Sequence, residues 1–440
     1  MTQNTTIVKN ITAKIITTKT KASSSFPLWY LHGITYQQSQ LVKQELESKN
    51  KDSCFSSSSV SNPSPSHSSL LLISNHEIVF QSHNLLIAEF ITKHVIESKR
   101  LLPPKLKRLR HLLVVGETLA RQHLLSYYLK INVKQQQHEI YTMEDGGVVC
   151  TQTYWPLTYL DSTPVLFLIP SLTANQQEFI VLIDYVVNKL KWIVVVFNRR
   201  GNHASKYCSL RTPVFHICGH DSDIDYVVTK VKTLFPVAPM FGLGVSMGGN
   251  VLKRLLGRYH IDKSVFVAVG SICSPWNIQD LHFTSPRYED WLIKSIHSSL
   301  TEQCKPLLFA QPDRAGVKHY LALTEAKTAV ELFHANAAMF SSKTKQELER
   351  EYDAAEFVHN IQIPCLIITS DDDEIIHLSS ATQQRILQSP MIGWFHAERG
   401  NHCLFRSKIG ESFTSLNYAE LLQLDFFQFM LEKWKQKKAE

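Results

Sequence analysis

From about residue 138 onward, short apolar segments alternate with stretches of helical periodicity, and this alternation strongly constrains the fold. The apolar segments are TPVLFLIP, KWIVVVFN, APMFGLGVS, KSVFVAVGSI, IPCLIITS and MIGWFHAE. Helical patterns such as QEFIVLIDYVVNKLK and GGNVLKRLLGRYH follow most of them. Nearly continuous apolar strands are typical of a parallel sheet that helices cover on both faces. The sequence therefore predicts an α/β fold with a mostly parallel, twisted sheet.

Two further segments refine this domain, which we expect to span residues 138–440. The segment IYTMEDGGVVCTQTYW predicts a β-hairpin whose turn is Asp145-Gly146-Gly147. Residues 276–360 form a segment longer than one crossover helix needs, and the segment contains aromatic and charged helical patterns. We expect this insertion to lie over the carboxyl end of the sheet as a helical lid.

The first 137 residues differ from this pattern. Residues 53–69 contain ten serines and two prolines, so residues 1–69 are predicted to be a poorly structured extension with a serine-rich linker. Residues 70–137 show helical spacing and are predicted to be a helical segment that packs on the core. Basic side chains within residues 99–110 predict a solvated face or, alternatively, a peripheral membrane contact; they are Lys99, Arg100, Lys105, Lys107, Arg108 and Arg110.

Composition excludes several classes of protein. The net charge of +7 is mild for 440 residues, so no dedicated nucleic-acid binding is expected. The amino terminus lacks a signal-peptide core, and no apolar run reaches the roughly 18 residues of a membrane span, which predicts a cytoplasmic or peripheral location on an intracellular membrane. The eight cysteines form no C-x-x-C pair, and we expect buried free thiols with no metal and no cofactor.

Residues 244–248, GVSMG, fit the G-x-S-x-G pattern between a predicted strand and a predicted helix. In that turn Ser246 would project above the sheet as a nucleophile, and the backbone N–H of Met247 would face a developing oxyanion. The alternative is that Ser246 is only a small residue in a tight turn. The strand–turn–helix context favours the nucleophile.

A serine nucleophile requires a base and an acid, which should follow it in loops after later strands. Asp371, Asp372 and Asp373 follow IPCLIITS, and spacing alone does not choose among them. His402 follows the last predicted strand in a glycine-containing loop and is the best-placed histidine. His396 lies inside that strand, and His377 follows the aspartates too closely. A second oxyanion donor is expected from residues 170–175, with the amide of Leu172 as the candidate.

These motifs resemble the α/β-hydrolase superfamily, and within it the AB hydrolase 4 family of the abhydrolase domain-containing protein 2 type. The resemblance rests on GVSMGGNVLKRLLG, IYTMEDGGVVCTQTYWP, IPSLTANQQEFI, NRRG, IPCLIITSDDDEIIH and GNHCLF. It implies a catalytic Ser246, Asp373 and His402, with Asp372 as the reserve acid. It also implies a serine esterase or acylglycerol lipase acting on lipid esters such as monoacylglycerol, or on short-chain acyl esters.

The sequence departs from the family at two loops. Ser171 stands where the family usually has glycine, which would alter the oxyanion loop. The family usually has Gly-Gly-His before the catalytic histidine, and Asn401 stands in place of the second glycine. Asn401 must therefore adopt the backbone conformation of that glycine, and asparagine tolerates positive φ. Two other functions therefore stay open: a catalytically impaired protein that binds a lipid or hormone, and an acyltransferase. The acyltransferase alternative draws attention to two H-x4-D spacings, His216–Asp221 and His220–Asp225. These spacings are better explained by a loop followed by the start of a helix.

Overall fold

The computed structural model describes residues 71–74, 78–82, 84–94, 136–174, 176–202, 208–259, 265–310, 315–339, 344–406 and 415–440. The predicted extension over residues 1–69 and the basic residues 99–110 lie outside the described residues. Their predicted roles therefore stay predictions.

The described residues form a ten-stranded sheet in the order β1-β2-β10-β9-β8-β7-β5-β6-β4-β3. The strands are β1 Leu71–Ser74, β2 Ile78–Ser82, β3 Gln136–Thr142, β4 Val148–Tyr154, β5 Val165–Ile169, β6 Ile193–Asn198, β7 Met240–Val245, β8 Ala268–Ile272, β9 Cys365–Ser370 and β10 Ile392–Ala397.

The six strands β5 to β10 pair in parallel. On one side of them β2 pairs antiparallel with β10, and the edge strand β1 pairs antiparallel with β2. β4 pairs antiparallel with β3 and with β6. The connection between β3 and β4 is the turn of the predicted hairpin. In it the Gly146 amide donates to the Met143 carbonyl at 2.9 Å, and Gly146 has φ +77°. All the carboxyl ends of the parallel strands therefore meet at one edge of the sheet, where α/β proteins place their ligands.

Helices connect the strands. They are α1 Leu85–His94, α2 Ile180–Asp184, α3 Asp221–Leu234, α4 Met247–Arg258, α5 Pro286–Ile296, α6 Glu302–Phe309, α7 Ala315–Glu325, α8 Ala329–Ala337, α9 Lys345–Tyr352, α10 Ser380–Ile386 and α11 Tyr418–Ala439. A 3-10 turn at Gln176–Phe179 precedes α2, and a π-turn at Tyr185–Leu190 continues it. No helix in these ranges is long and apolar enough to cross a membrane.

Both faces of the sheet are buried under helices. On one face, α1, α2 and α11 contribute side chains such as Phe90, Leu182 and Phe426 to a single buried cluster. On the other face, α3 and α4 contribute side chains such as Val227 and Leu255 to a second cluster. Strands β4 to β9 lie between them and are buried along their whole length, as in β5, whose five residues are all buried. The predicted α/β fold with a mostly parallel sheet is confirmed.

The prediction of a helical segment over residues 70–137 is wrong for residues 71–74 and 78–82. Those residues form β1 and β2, a hairpin whose second strand pairs antiparallel with β10. Only Leu85–His94 of the described part is helical. The apolar spacing in this segment fits both structures, and pairing with the otherwise open edge of β10 favours the strands, because backbone amides and carbonyls along that edge gain partners.

The prediction that the cysteines are free thiols is wrong for two of them. Cys150 in β4 and Cys208 are joined by a disulfide that spans 58 residues of sequence. Sequence spacing gave no signal for this pair, because β4 and the segment after β6 meet only through the sheet. Cys218, Cys273, Cys304, Cys365 and Cys403 are free thiols, and all except Cys403 are buried.

The insertion between β8 and β9 is helical, as predicted. It contains α5 to α9 and a 3-10 segment at Ala354–Asn360. Phe333 and Ala337 of α8 and Tyr352 of α9 share one buried cluster with Met247, the first residue of α4. The insertion therefore lies beside the turn that contains Ser246. Its action as a lid stays a prediction.

Candidate active site

The turn between β7 and α4 holds Ser246 in an unusual backbone conformation. Ser246 has φ +51° and ψ −124°, a region that costs a non-glycine residue about 1–3 kcal/mol. Two hydrogen bonds fix the turn: the Ser246 amide donates to the Ile272 carbonyl at 2.8 Å, and the Gly249 amide donates to the Ser246 carbonyl at 2.9 Å. The strained turn presents the serine hydroxyl at the carboxyl edge of the sheet.

The glycines around Ser246 are required by close backbone approach. A Cβ on Gly248 would lie 2.2 Å from the Ile169 carbonyl oxygen and 2.5 Å from that of Pro170. A Cβ on Gly244 would lie 2.4 Å from the Cα of Gly249. No side chain fits at either position, so the start of α4 packs directly on the end of β5.

The two other predicted residues come to the same edge from neighbouring strands. Asp373 follows β9, and His402 follows β10, which pairs in parallel with β9. His402 Nε2 lies 3.0 Å from Ser246 Oγ. His402 Nδ1 lies 3.0 Å from both carboxylate oxygens of Asp373. The structure thus brings Ser246, His402 and Asp373 into one hydrogen-bonded chain.

The three consecutive aspartates have three different partners. Asp371 is exposed, and its Oδ1 lies 2.7 Å from His396 Nε2. The hydrogen bond from His396 holds the pKa of Asp371 below its ordinary value. Asp372 Oδ1 accepts the amides of Gly400 at 2.7 Å and Asn401 at 2.8 Å. The side chain of Asp373 is only 2% exposed, and it alone of the three reaches His402.

Further hydrogen bonds hold the Asp373 carboxylate. Its Oδ1 accepts the amides of Ile375 and Ile376, both at 2.9 Å. These amide donors give the buried carboxylate oxygen hydrogen-bond partners in place of water. Asp373 is therefore fixed in position before it interacts with His402.

The loop that carries His402 has a strained backbone. Asn401 has φ +49°, and the conformation expected for the glycine that it replaces is confirmed. Cys403 and Phe405 also have positive φ, at +67° and +39°. Asp372 ties the loop to β9 through the amides of Gly400 and Asn401. Sequence reasoning missed this role of Asp372, and its only signal was the run of three acidic residues after one strand.

The surroundings of His402 favour the protonated imidazole. Burial alone disfavours the positive charge, but the Asp373 carboxylate outweighs it, and the pKa of His402 lies well above its ordinary value. The Asp373 carboxylate therefore stabilises the positive charge of the imidazolium form of His402.

The loop after β5 lies next to the start of α4, where oxyanion donors are expected. The side chains of Leu172 and Met247 pack in the same apolar cluster. Arg199 holds this loop, because its guanidinium donates to the Pro170 carbonyl at 3.3 Å. Ser171 is not among the described residues with positive φ, so serine fits the backbone there without strain. The oxyanion roles of Leu172 and Met247 stay predictions.

The H-x4-D residues have other partners. His216 Nδ1 lies 2.9 Å from the Tyr352 hydroxyl. Asp221 forms ion pairs with Arg254 at 3.0 Å and Arg258 at 2.6 Å, both in α4. These contacts tie the start of α3 to α4 and to α9, which agrees with the structural explanation of the spacing.

Comparison with known proteins shows which family and which proteins the chain resembles. Residues 188–390 match a family described as serine aminopeptidase, S33, a range that includes Ser246 and Asp373. Phospholipase ABHD3 of Mus musculus is 25% identical over 328 residues, which cover 72% of this chain and 76% of that protein.

Two more relatives extend the comparison. Monoacylglycerol lipase of Saccharomyces cerevisiae is 22% identical over 265 residues, which cover 54% of this chain and 57% of that protein. Embryogenesis-associated protein EMB8 of Picea glauca is 30% identical over 207 residues, covering 43% and 44% of the two chains. The strand order, the strained serine turn and these matches agree: the chain is similar to proteins of the α/β-hydrolase superfamily.

Proposed function

We propose that this chain is a serine hydrolase of carboxylic esters and that its substrates are lipid esters such as monoacylglycerol, or short-chain acyl esters. One observation carries the proposal: His402 contacts Ser246 through one ring nitrogen and Asp373 through the other, each at 3.0 Å. A serine hydroxyl becomes a useful nucleophile only beside such a base, and the base works best when a carboxylate orients it.

The first half of the reaction forms an acyl-enzyme. His402 Nε2 takes the proton of Ser246 as Oγ attacks the ester carbonyl carbon. Asp373 accepts a hydrogen bond from Nδ1–H, which fixes the tautomer and stabilises the imidazolium. The amides of Met247 and Leu172 donate to the tetrahedral oxyanion, and one such donor contributes about 3–4 kcal/mol. Collapse of the intermediate expels the alcohol, which takes its proton from His402.

The second half regenerates the enzyme. Water attacks the acyl carbonyl while His402 removes its proton, and the carboxylic acid leaves as Ser246 recovers a proton from the imidazolium. These steps use only residues of this chain.

The lipid character of the substrate has separate support. A phospholipase and a monoacylglycerol lipase are among the relatives, and both names denote cleavage of lipids. Met247, Phe333 and Leu172 pack in the apolar cluster beside Ser246, so the immediate surroundings of the proposed nucleophile are apolar. Contact with a membrane surface through residues 99–110 would bring such substrates to the site. Pelleting with anionic liposomes, before and after neutralisation of those basic residues, tests that contact.

Fluorophosphonate labelling tests the nucleophile. We expect the wild type to be labelled and Ser246→Ala to lose labelling, while Ser298→Ala, which changes an exposed serine of the insertion, keeps it. Hydrolysis of monoacylglycerol and of short-chain esters should fall by about 10³-fold or more in Ser246→Ala. A folded wild type that is neither labelled nor active would favour the ligand-binding alternative, and labelling that persists in Ser246→Ala would refute the role of Ser246.

A further inference from the structure

Two thiols stand beside the candidate base, and the reaction proposed above does not use them. Cys273 follows β8 directly, and Cys403 follows His402. One ligand atom from each of Cys273, His402 and Cys403 lies within 4.8 Å of the other two. Among the residues that the structure describes, these three are the one group of His, Cys, Asp or Glu side chains close enough together to hold a metal ion.

The backbone holds the two thiols in this place at a cost. Cys273 has φ +43° and Cys403 has φ +67°, conformations that disfavour side chains other than Gly, Asn and Asp. The Cys403 amide donates to Cys273 Sγ at 3.4 Å, and Cys273 Sγ donates to the Asn401 carbonyl at 3.6 Å. Strained residues persist where the surrounding structure over-determines them, and they cluster at functional sites. The pair of thiols is therefore fixed to the histidine loop from two sides.

We propose that Cys273, Cys403 and His402 form a binding site for Zn²⁺ that switches the hydrolase off. Two thiolates and one imidazole are ligands that Zn²⁺ prefers, and three protein ligands leave a fourth position for water. In a tetrahedral zinc site the ligand atoms lie about 3.5–3.8 Å apart, so the ligand atoms, which lie within 4.8 Å of one another, need to close by about 1.3 Å at most. On binding, the thiols release their protons to solvent, and both sulfurs ligate as thiolates.

The inhibitory effect follows from the two contacts of His402, and it rests on the function proposed above. Nε2 faces Ser246, and Nδ1 faces Asp373. A metal on Nε2 takes the lone pair that accepts the serine proton. A metal on Nδ1 displaces the hydrogen bond to Asp373. Zinc binding and proton acceptance by His402 therefore exclude each other at either nitrogen.

Cobalt binding tests the site independently of activity. Co²⁺ replaces Zn²⁺ in thiolate sites, and thiolate–cobalt charge transfer gives an absorption band. We expect one equivalent of Co²⁺ to produce this band in the wild-type protein and Zn²⁺ to displace it. Cys273→Ser and Cys403→Ser, tested separately, should each weaken binding at least tenfold. Cys304→Ser, a buried thiol on α6, is the matched control and should bind as the wild type does.

The activity arm separates the two proposals. Zn²⁺ should inhibit ester hydrolysis by the wild type and by Cys304→Ser, and a chelator should restore it. Absence of the cobalt band in an active enzyme, or unchanged binding in a folded Cys273→Ser or Cys403→Ser, overturns the metal site. A cobalt band in a protein that neither hydrolyses esters nor reacts with fluorophosphonate supports the site and removes the proposed function. Zinc that binds without inhibition overturns the switch.

Discussion

Replacing Asn401 by glycine is expected to stabilise the protein. Asn401 is 1% exposed and has φ +49°, and neither polar atom of its side-chain amide has a hydrogen-bond partner among the described residues. A buried unpaired amide costs about 1–3 kcal/mol. Glycine removes this cost and the strain of positive φ, but its greater freedom in the unfolded chain costs about 0.5–1 kcal/mol.

Asn401→Ala is the matched control, because alanine also removes the amide but keeps a Cβ at positive φ. Left-handed backbone costs a non-glycine residue about 1–2 kcal/mol, so the glycine variant should be the more stable of the two by about 1 kcal/mol. For a domain of this size that difference corresponds to about 2 °C in melting temperature.

Thermal unfolding followed by circular dichroism measures the difference, and fluorophosphonate labelling checks that the His402 loop keeps its geometry. We expect Asn401→Gly to melt above the wild type and above Asn401→Ala. An alanine variant that equals or exceeds the glycine variant would show that backbone strain at position 401 does not govern the stability of this loop.

Three further substitutions test other parts of the fold. Gly248→Ala puts a Cβ 2.2 Å from the Ile169 carbonyl oxygen; we expect a loss of folded protein, and a stable, labelled variant would contradict this close approach. Asp372→Ala leaves two amides of the His402 loop without their acceptor, so ester hydrolysis should fall by about 10-fold or more; unchanged kcat would refute the positioning role. Burial lowers the pKa of Lys253 to about 7. Burial of the charged Lys253 ammonium group destabilises the folded state fully below pH 7. This destabilisation decreases as the pH rises toward the pKa of lysine in the unfolded chain, about 10.4. Melting temperature measured from pH 7 to 10 should rise less in Lys253→Met than in the wild type, and parallel curves would exclude this linkage.

The sheet was predictable because each buried strand is a short apolar run followed by a helix. β5 to β10 all fall within segments that the sequence marks as strands. The hairpin of β1 and β2 was not predictable, because its apolar spacing also fits a helix and its partner β10 lies over 300 residues away in the chain. The disulfide of Cys150 and Cys208 was missed for the same reason, since only the assembled sheet brings the two cysteines together.

The positions of the site residues followed from strand order, and their division of roles did not. Strand ends predicted that an aspartate and a histidine would meet Ser246. Which aspartate reaches His402 depends on the backbone after β9, where three adjacent carboxylates point to three different partners. The choice of Asp373 came from a family resemblance and not from spacing. Cys273, whose thiol lies near His402, follows a different strand, β8, so no local pattern links it to His402.

The arrangement of strands also separates the candidate site into two mechanical parts. Asp373 and His402 follow adjacent strands, and Asp372 binds the backbone of the loop that carries the histidine. Ser246 follows β7, with β8 between it and β9. Sliding between β8 and its neighbours would therefore lengthen or shorten the serine–histidine contact while the acid and base move as one body.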